Sequence, residues 1–298
     1  MCKTTEHPIT NREHKNSIVY TELIHHRLGG HVLMATALPK RPEFEKPPVL
    51  ICNGYGSGIG AMGRLATILA EEEGRSVITY NEQRSRAAWS DPLGFRSETI
   101  LSVMDRFDKN TKDYFTQPTL IGWSTGGPAA IGVAERLLMN GEEKRIGAVI
   151  PTASAGIGPQ AGEVELTIRA GLEVARGLRS VRMVRALGLK AAQCSAGYLC
   201  GDVVLSLREV NALSELDVSR RLIDLEQAGL PLSIIAMKHD LIFPVDRMAA
   251  AIEQTGLSQK LRVIDGTHIN LAWQRSTIGR VVDVIDETEA AGTAETAA

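Results

Sequence analysis

Gly122-Trp123-Ser124-Thr125-Gly126 closes a strand-like run that starts at Thr119 and leads into a helix-like stretch, Pro128 to Met139. A serine with glycine two residues to either side suits a very tight strand-to-helix turn, where a Cβ would collide with the crossing chain. Such a turn leaves the serine hydroxyl at a helix N-terminus, where backbone N–H groups and the helix dipole favour developing negative charge. The chemistry on offer is nucleophilic attack. With 28 glycines in 298 residues, a short Gly-x-Ser-x-Gly pattern has weight only through its flanking strand and helix.

A hydroxyl is a poor nucleophile without a base in contact with it. Five of the seven histidines, His7, His14, His25, His26 and His31, precede Ser124, and only His239 and His268 follow it. Three further stretches carry polar chemistry. Asn53-Gly54-Tyr55-Gly56-Ser57-Gly58 follows the apolar run Val49-Leu50-Ile51-Cys52; Lys238-His239-Asp240-Leu241-Ile242-Phe243-Pro244 and Gly266-Thr267-His268 come late. Glycines 54, 56, 58 and 60 let the first of these loops approach a ligand closely. A phosphate cradle is the rival reading of such a loop. No Gly-Lys-Ser/Thr follows, however, and Gly56-x-Gly58-x-x-Ala61 is a weak dinucleotide pattern without an acidic partner after it.

The elements that must position these residues alternate. Strand patterns fall at Ile18–Ile24, His31–Leu38, Val49–Cys52, Ser76–Tyr80, Thr119–Trp123 and Ile146–Ile150, with helical patterns between the later ones. From Ala153 to about Ala228 only helical patterns occur, and the strand rhythm resumes at Leu232–Met237 and Leu261–Ile264. This predicts an α/β fold: a mostly parallel central sheet flanked by helices, with a helical cap inserted after strand 6, above the strand C-termini. The expected organisation is a core of residues 17–152 and 229–285, a cap of residues 153–228, an N-terminal arm of residues 1–16 and a disordered tail of residues 286–298.

A net charge of −2 gives no electrostatic case for nucleic acid as partner. No apolar run reaches the roughly 18 residues needed to span a bilayer, and the polar N-terminus has no signal-like apolar segment. The spacing of Cys2, Cys52, Cys194 and Cys200 matches no common zinc pattern. A cytoplasmic protein with reduced thiols is the expectation.

Asn53-Gly54-Tyr55-Gly56, Gly122-Trp123-Ser124-Thr125-Gly126, Lys238 to Pro244 and Gly266-Thr267-His268, taken in this order, resemble the α/β-hydrolase superfamily over roughly residues 17–285. The resemblance implies a Ser-acid-His triad in chain order. Ser124 is then the nucleophile, Asp240 the acid and His268 the base. His239 adjoins the acid and is poorly placed to be oriented by it. Asp246 reads as a first-turn helix residue, and Asp265 lies only three residues before His268. The oxyanion hole falls to the backbone N–H groups of Tyr55 and Thr125, with Gly54, Gly56, Gly122 and Gly126 as the loop and elbow glycines. Two departures stand out. Asn53 replaces the His often found before this Gly, and Asn81 to Ser90 keeps Arg84 but lacks the glycines common there.

The cap helix carries Arg176, Arg179, Arg182 and Arg185 at steps of three. This spacing suits a solvated polar face, and an anionic substrate group if it faces the cleft. The implied activity is hydrolysis of an ester or thioester of a small or medium acyl compound, without metal or organic cofactor. An acyltransferase using the same site and a non-catalytic ligand-binding protein are the alternatives. A serine at the elbow argues against relatives that use a carboxylate nucleophile there.

Overall fold

Val49–Cys52 (β4) and Thr119–Trp123 (β6) are buried at every position, as strands covered on both sheet faces must be. The structure, a computed structural model, describes residues 10–13, 17–28, 31–39, 46–54, 59–81, 91–110, 116–158, 162–178 and 203–296. The other strands are β1 (Thr10–Glu13), β2 (Ser17–His25), β3 (His31–Pro39), β5 (Val77–Asn81), β7 (Ala148–Thr152), β8 (Ile234–Met237) and β9 (Leu261–Ile264). They form one sheet in the order β1-β2-β3-β5-β4-β6-β7-β8-β9. Pairing is antiparallel from β1 to β5 and parallel from β5 to β9.

Alternate residues of the central strands serve opposite cores. Leu50, Leu120, Val149 and Ile234 join Ile100, Leu101, Ile131 and Leu222 on one face. Ile51, Ile121, Ile150 and Ile235 join Met62, Leu65, Ile278 and Val281 on the other. This is the two-residue period of a strand read out as two hydrophobic layers. Each such fully buried aliphatic side chain stabilises the fold by roughly 1.5–3 kcal/mol. The first layer is built with α2 (Pro92–Asn110), α3 (Gly126–Met139) and α6 (Ser219–Gln227), and the second with α1 (Ile59–Glu71) and α8 (Arg275–Thr296). Two further helices, α4 (Glu163–Leu178) and α5 (Val203–Ser214), belong to the inserted block, and α7 (Val245–Thr255) follows β8.

Two expectations about the ends are corrected. The arm expected at residues 1–16 contains β1, which pairs with β2 from Thr10↔Thr21 to Glu13↔Ile18. The cap therefore follows the seventh strand of the sheet. The tail expected to be disordered from residue 286 continues α8 as far as Thr296. Its composition carries no apolar run, but Asp286 and Glu289 meet Arg75. That guanidinium is buried and donates to Asp286 Oδ1 at 2.5 Å, to Glu289 Oε2 at 2.8 Å and to the Pro47 carbonyl at 2.8 Å. Long-range ion pairing supplies what local composition lacks. Among the described residues, no helix is long and apolar enough to cross a membrane.

Candidate active site

Ser124 lies between β6 and α3 with φ at 57°, a left-handed conformation that costs a non-glycine residue of order 1–3 kcal/mol. Surrounding hydrogen bonds hold it there. Its N–H donates to the Thr152 carbonyl at 3.0 Å, and its carbonyl accepts from Gly127 N–H at 3.0 Å and Ala155 N–H at 3.2 Å. The turn also requires the predicted glycines. A Cβ on Gly122 would lie 2.6 Å from the Gly126 carbonyl oxygen, and one on Gly54 would lie 2.9 Å from Ser124 Cβ. Gly126 likewise packs against the Cys52 carbonyl.

Asp240 and His268 meet at the ends of β8 and β9. His268 Nδ1 lies 2.8 Å from Asp240 Oδ2, with both side chains buried. A carboxylate can only accept, so Nδ1 carries the hydrogen and Nε2 is the free basic nitrogen. Asp240 Oδ1 accepts the N–H groups of Ile242 and Phe243 at 2.8 and 2.9 Å. Three hydrogen bonds thus hold the Asp240 carboxylate. The two loops are stitched together by His239 N–H donating to the Gly266 carbonyl at 2.9 Å.

Trp123, the residue before Ser124, donates from Nε1 to the His268 carbonyl at 3.0 Å. The imidazole is flanked by the rings of Trp123 and Phe243, at centroid distances of 5.6 and 5.4 Å. Ser124 Oγ and His268 form no hydrogen bond with each other. Burial pulls the His268 pKa down. The charge of Asp240, its hydrogen bond and the charge of Glu173 outweigh this and leave it raised.

The alternatives for acid and base fall elsewhere. His239 is half exposed and pairs at 3.2 Å with Asp265, whose side chain is 81% exposed. Asp246 is an exposed residue in the first turn of α7. Of the oxyanion pair, Thr125 stands at the N-terminal cap of α3, and no acceptor among the described residues takes its N–H. Tyr55 and Gly56 lie outside the described residues, as do Arg179, Arg182 and Arg185. Asn53, the departure from the usual His, is buried and braced. Its Nδ2 donates to the Tyr80 carbonyl and its Oδ1 accepts from Thr79 at 3.2 Å. Among the described residues no group of three His, Cys, Asp or Glu could hold a metal ion.

An esterase from Exiguobacterium antarcticum shares this architecture with a TM-score of 0.62, over 89% of this chain and 98% of its own, at 14% identity. A bromoperoxidase from Bacillus anthracis matches at 0.63 over 89% and 99%, also at 14% identity. The enol-lactonase from Burkholderia xenovorans LB400 matches at 0.58 over 93% and 100%, again at 14%.

This is the α/β-hydrolase fold.

No protein-family sequence profile and no curated protein sequence matches the chain. Helix α4 contacts the loop that follows β8. From α4, Arg176 Nη1 donates to the His239 carbonyl at 3.1 Å, and Arg169 Nη1 reaches the Ile242 carbonyl at 3.5 Å. Helix α4 is thereby fastened to the loop that carries Asp240. Arg176, predicted as part of a solvated stripe, is exposed yet spends one donor on that loop.

Sequence reasoning missed three residues around His268. Trp123 and Phe243 stood inside quoted motifs but had no assigned part. Glu173 is a buried carboxylate in α4 acting on His268 through space. Its sequence signal is position: it follows Leu166 by seven residues, two helical turns along the same face.

Proposed function

We propose that the protein is a serine hydrolase cleaving an ester or thioester of a small or medium acyl compound. The observation that carries this reading is the buried Asp240–His268 hydrogen bond of 2.8 Å beside a serine held at positive φ. His268 Nε2 takes the proton of Ser124 as Oγ attacks the acyl carbon. The carbonyl oxygen gains negative charge, which the N–H groups of Thr125 and Tyr55 stabilise. Collapse breaks the bond to the leaving group, which leaves with the proton held on His268. Water then attacks the acyl-enzyme, again giving its proton to His268, and the acid product departs as Ser124 regains its hydrogen. Asp240 holds the tautomer and balances the imidazolium throughout.

The test is hydrolysis of p-nitrophenyl esters from acetate to laurate by wild type and Ser124→Ala, with fluorophosphonate labelling in parallel. Turnover and labelling present in wild type and absent in the variant are expected, and the preferred acyl length measures the space under the cap. A wild type that neither turns over nor labels would overturn the reading.

A further inference from the structure

The described part of α4 turns one apolar row outward and, beside buried Leu166, one carboxylate inward. Val164, Ile168 and Leu172, at steps of four, are 74%, 56% and 56% exposed, while Glu173 is 1% exposed. Glu173 belongs to the inward face. Arg169 and Arg176, four residues before it and three after, both bond carbonyls of the Asp240 loop, and residues at these steps share one side of a helix. Its charge is felt at His268. Yet neither Oε1 nor Oε2 of Glu173 has a hydrogen-bond partner, although two arginines stand one turn away on the same helix. Both spend donors on backbone carbonyls instead.

A carboxylate taken out of water without a partner is costly enough that a fold rarely keeps one. A hydrophobic residue at this position would serve packing better, and the exposed apolar residues show that helix composition was not limiting. A buried, unpaired carboxylate on the helix face that contacts the Asp240 loop is suited to being paired by a ligand.

We propose that Glu173 is the counter-charge for a protonated amine on the substrate, so that the acyl compound cleaved at Ser124 is a cationic one. This rests on the hydrolase reading and names its substrate class. The amine can belong to the acyl part or to the leaving group, and both place an N⁺–H donor against the two free oxygens. Such charge-assisted bonds are short and strong, and a neutral analogue of equal size leaves the carboxylate buried and unpaired.

The experiment measures acid release in a pH-stat at neutral pH. One arm pairs ethyl esters of alanine and β-alanine with ethyl propanoate. The other pairs 2-(dimethylamino)ethyl propanoate with its neutral isostere 3-methylbutyl propanoate. In one arm wild type should favour the amine by roughly ten- to a hundredfold in kcat/KM, and Glu173→Gln should bring that ratio close to one. Labelling of Ser124 by an uncharged fluorophosphonate shows whether the variant still folds around its site. Independently of any variant, propylammonium chloride should slow the labelling of wild type, whereas 1-propanol with matched sodium chloride should not. Neutral esters cleaved with no amine preference in either arm, or a preference that survives Glu173→Gln, would overturn this inference and leave the hydrolase reading standing. Wild type that cleaves and labels nothing would remove both.

Discussion

Trp123 Nε1 holds the carbonyl of His268 at 3.0 Å, across 145 positions of sequence. The residue immediately before Ser124 thereby fixes the loop that carries His268. β6 therefore positions both Ser124, through its strained turn, and His268, through the neighbouring indole.

Replacing that indole tests the coupling. Trp123→Phe keeps a ring against His268 and removes the bond to its carbonyl. We expect kcat to fall by about tenfold, the cost of one buried neutral hydrogen bond, while fluorophosphonate labelling slows and is not abolished. An unchanged kcat with full labelling rate would show that the loop holds itself.

Asp240→Asn retains an acceptor for the N–H groups of Ile242 and Phe243 but presents either a donor or a neutral oxygen to His268 Nδ1. The imidazole loses its tautomer preference and its counter-charge. Ester turnover should drop by roughly 10³–10⁴-fold, with a melting temperature close to wild type. A loss of tenfold or less would point to a different acid.

The acid limb of the pH–rate profile follows from the raised pKa of His268. The base must be neutral to take the Ser124 proton, so kcat/KM should fall as pH drops through a midpoint above the ordinary histidine value of 6.5. Burial opposes that shift, and Asp240 and Glu173 produce it. Glu173→Gln should therefore move the limb to lower pH. For stability the direction is reversed: a raised folded-state pKa contributes fully below pH 6.5 and is lost as pH rises through the folded value. A profile whose acid limb lies below pH 6.5 would contradict the arrangement.

Arg75 provides a test away from chemistry. Arg75→Met leaves Glu289 without its buried partner, although Thr119 Oγ1 still donates to it at 2.6 Å. Unfolding free energy should drop by about 3 kcal/mol, the low end for a broken buried pair because Asp286 is half exposed. Chemical denaturation measures it, and deleting residues 286–298 should cost a similar amount. A truncated protein as stable as the full chain would show that the end of α8 contributes nothing.

The sheet and the tight turn at Ser124 were legible from local pattern. Val49–Cys52 and Thr119–Trp123 are apolar at almost every position, which only a strand buried on both faces requires, and their boundaries agree with the structure. Gly122, Ser124 and Gly126 announced the elbow because a turn that tight excludes side chains on geometric grounds. Chain order then pointed to His268 and, through family resemblance, to Asp240.

Other features depended on residues distant in sequence. The helical end of α8 rests on Arg75, more than two hundred positions away, and no local composition reports such a partner. β1 is a short polar segment whose strand identity comes from pairing with β2. Glu173 looked like any charged residue of an amphipathic helix, because sequence alone does not say which face a cap helix turns inward. That choice follows from how α4 docks on the Asp240 loop. Local sterics and periodicity thus determined the strands and the elbow turn. Only the tertiary structure decided which charges are buried, since burial is set by what packs against a residue and not by its neighbours in the chain.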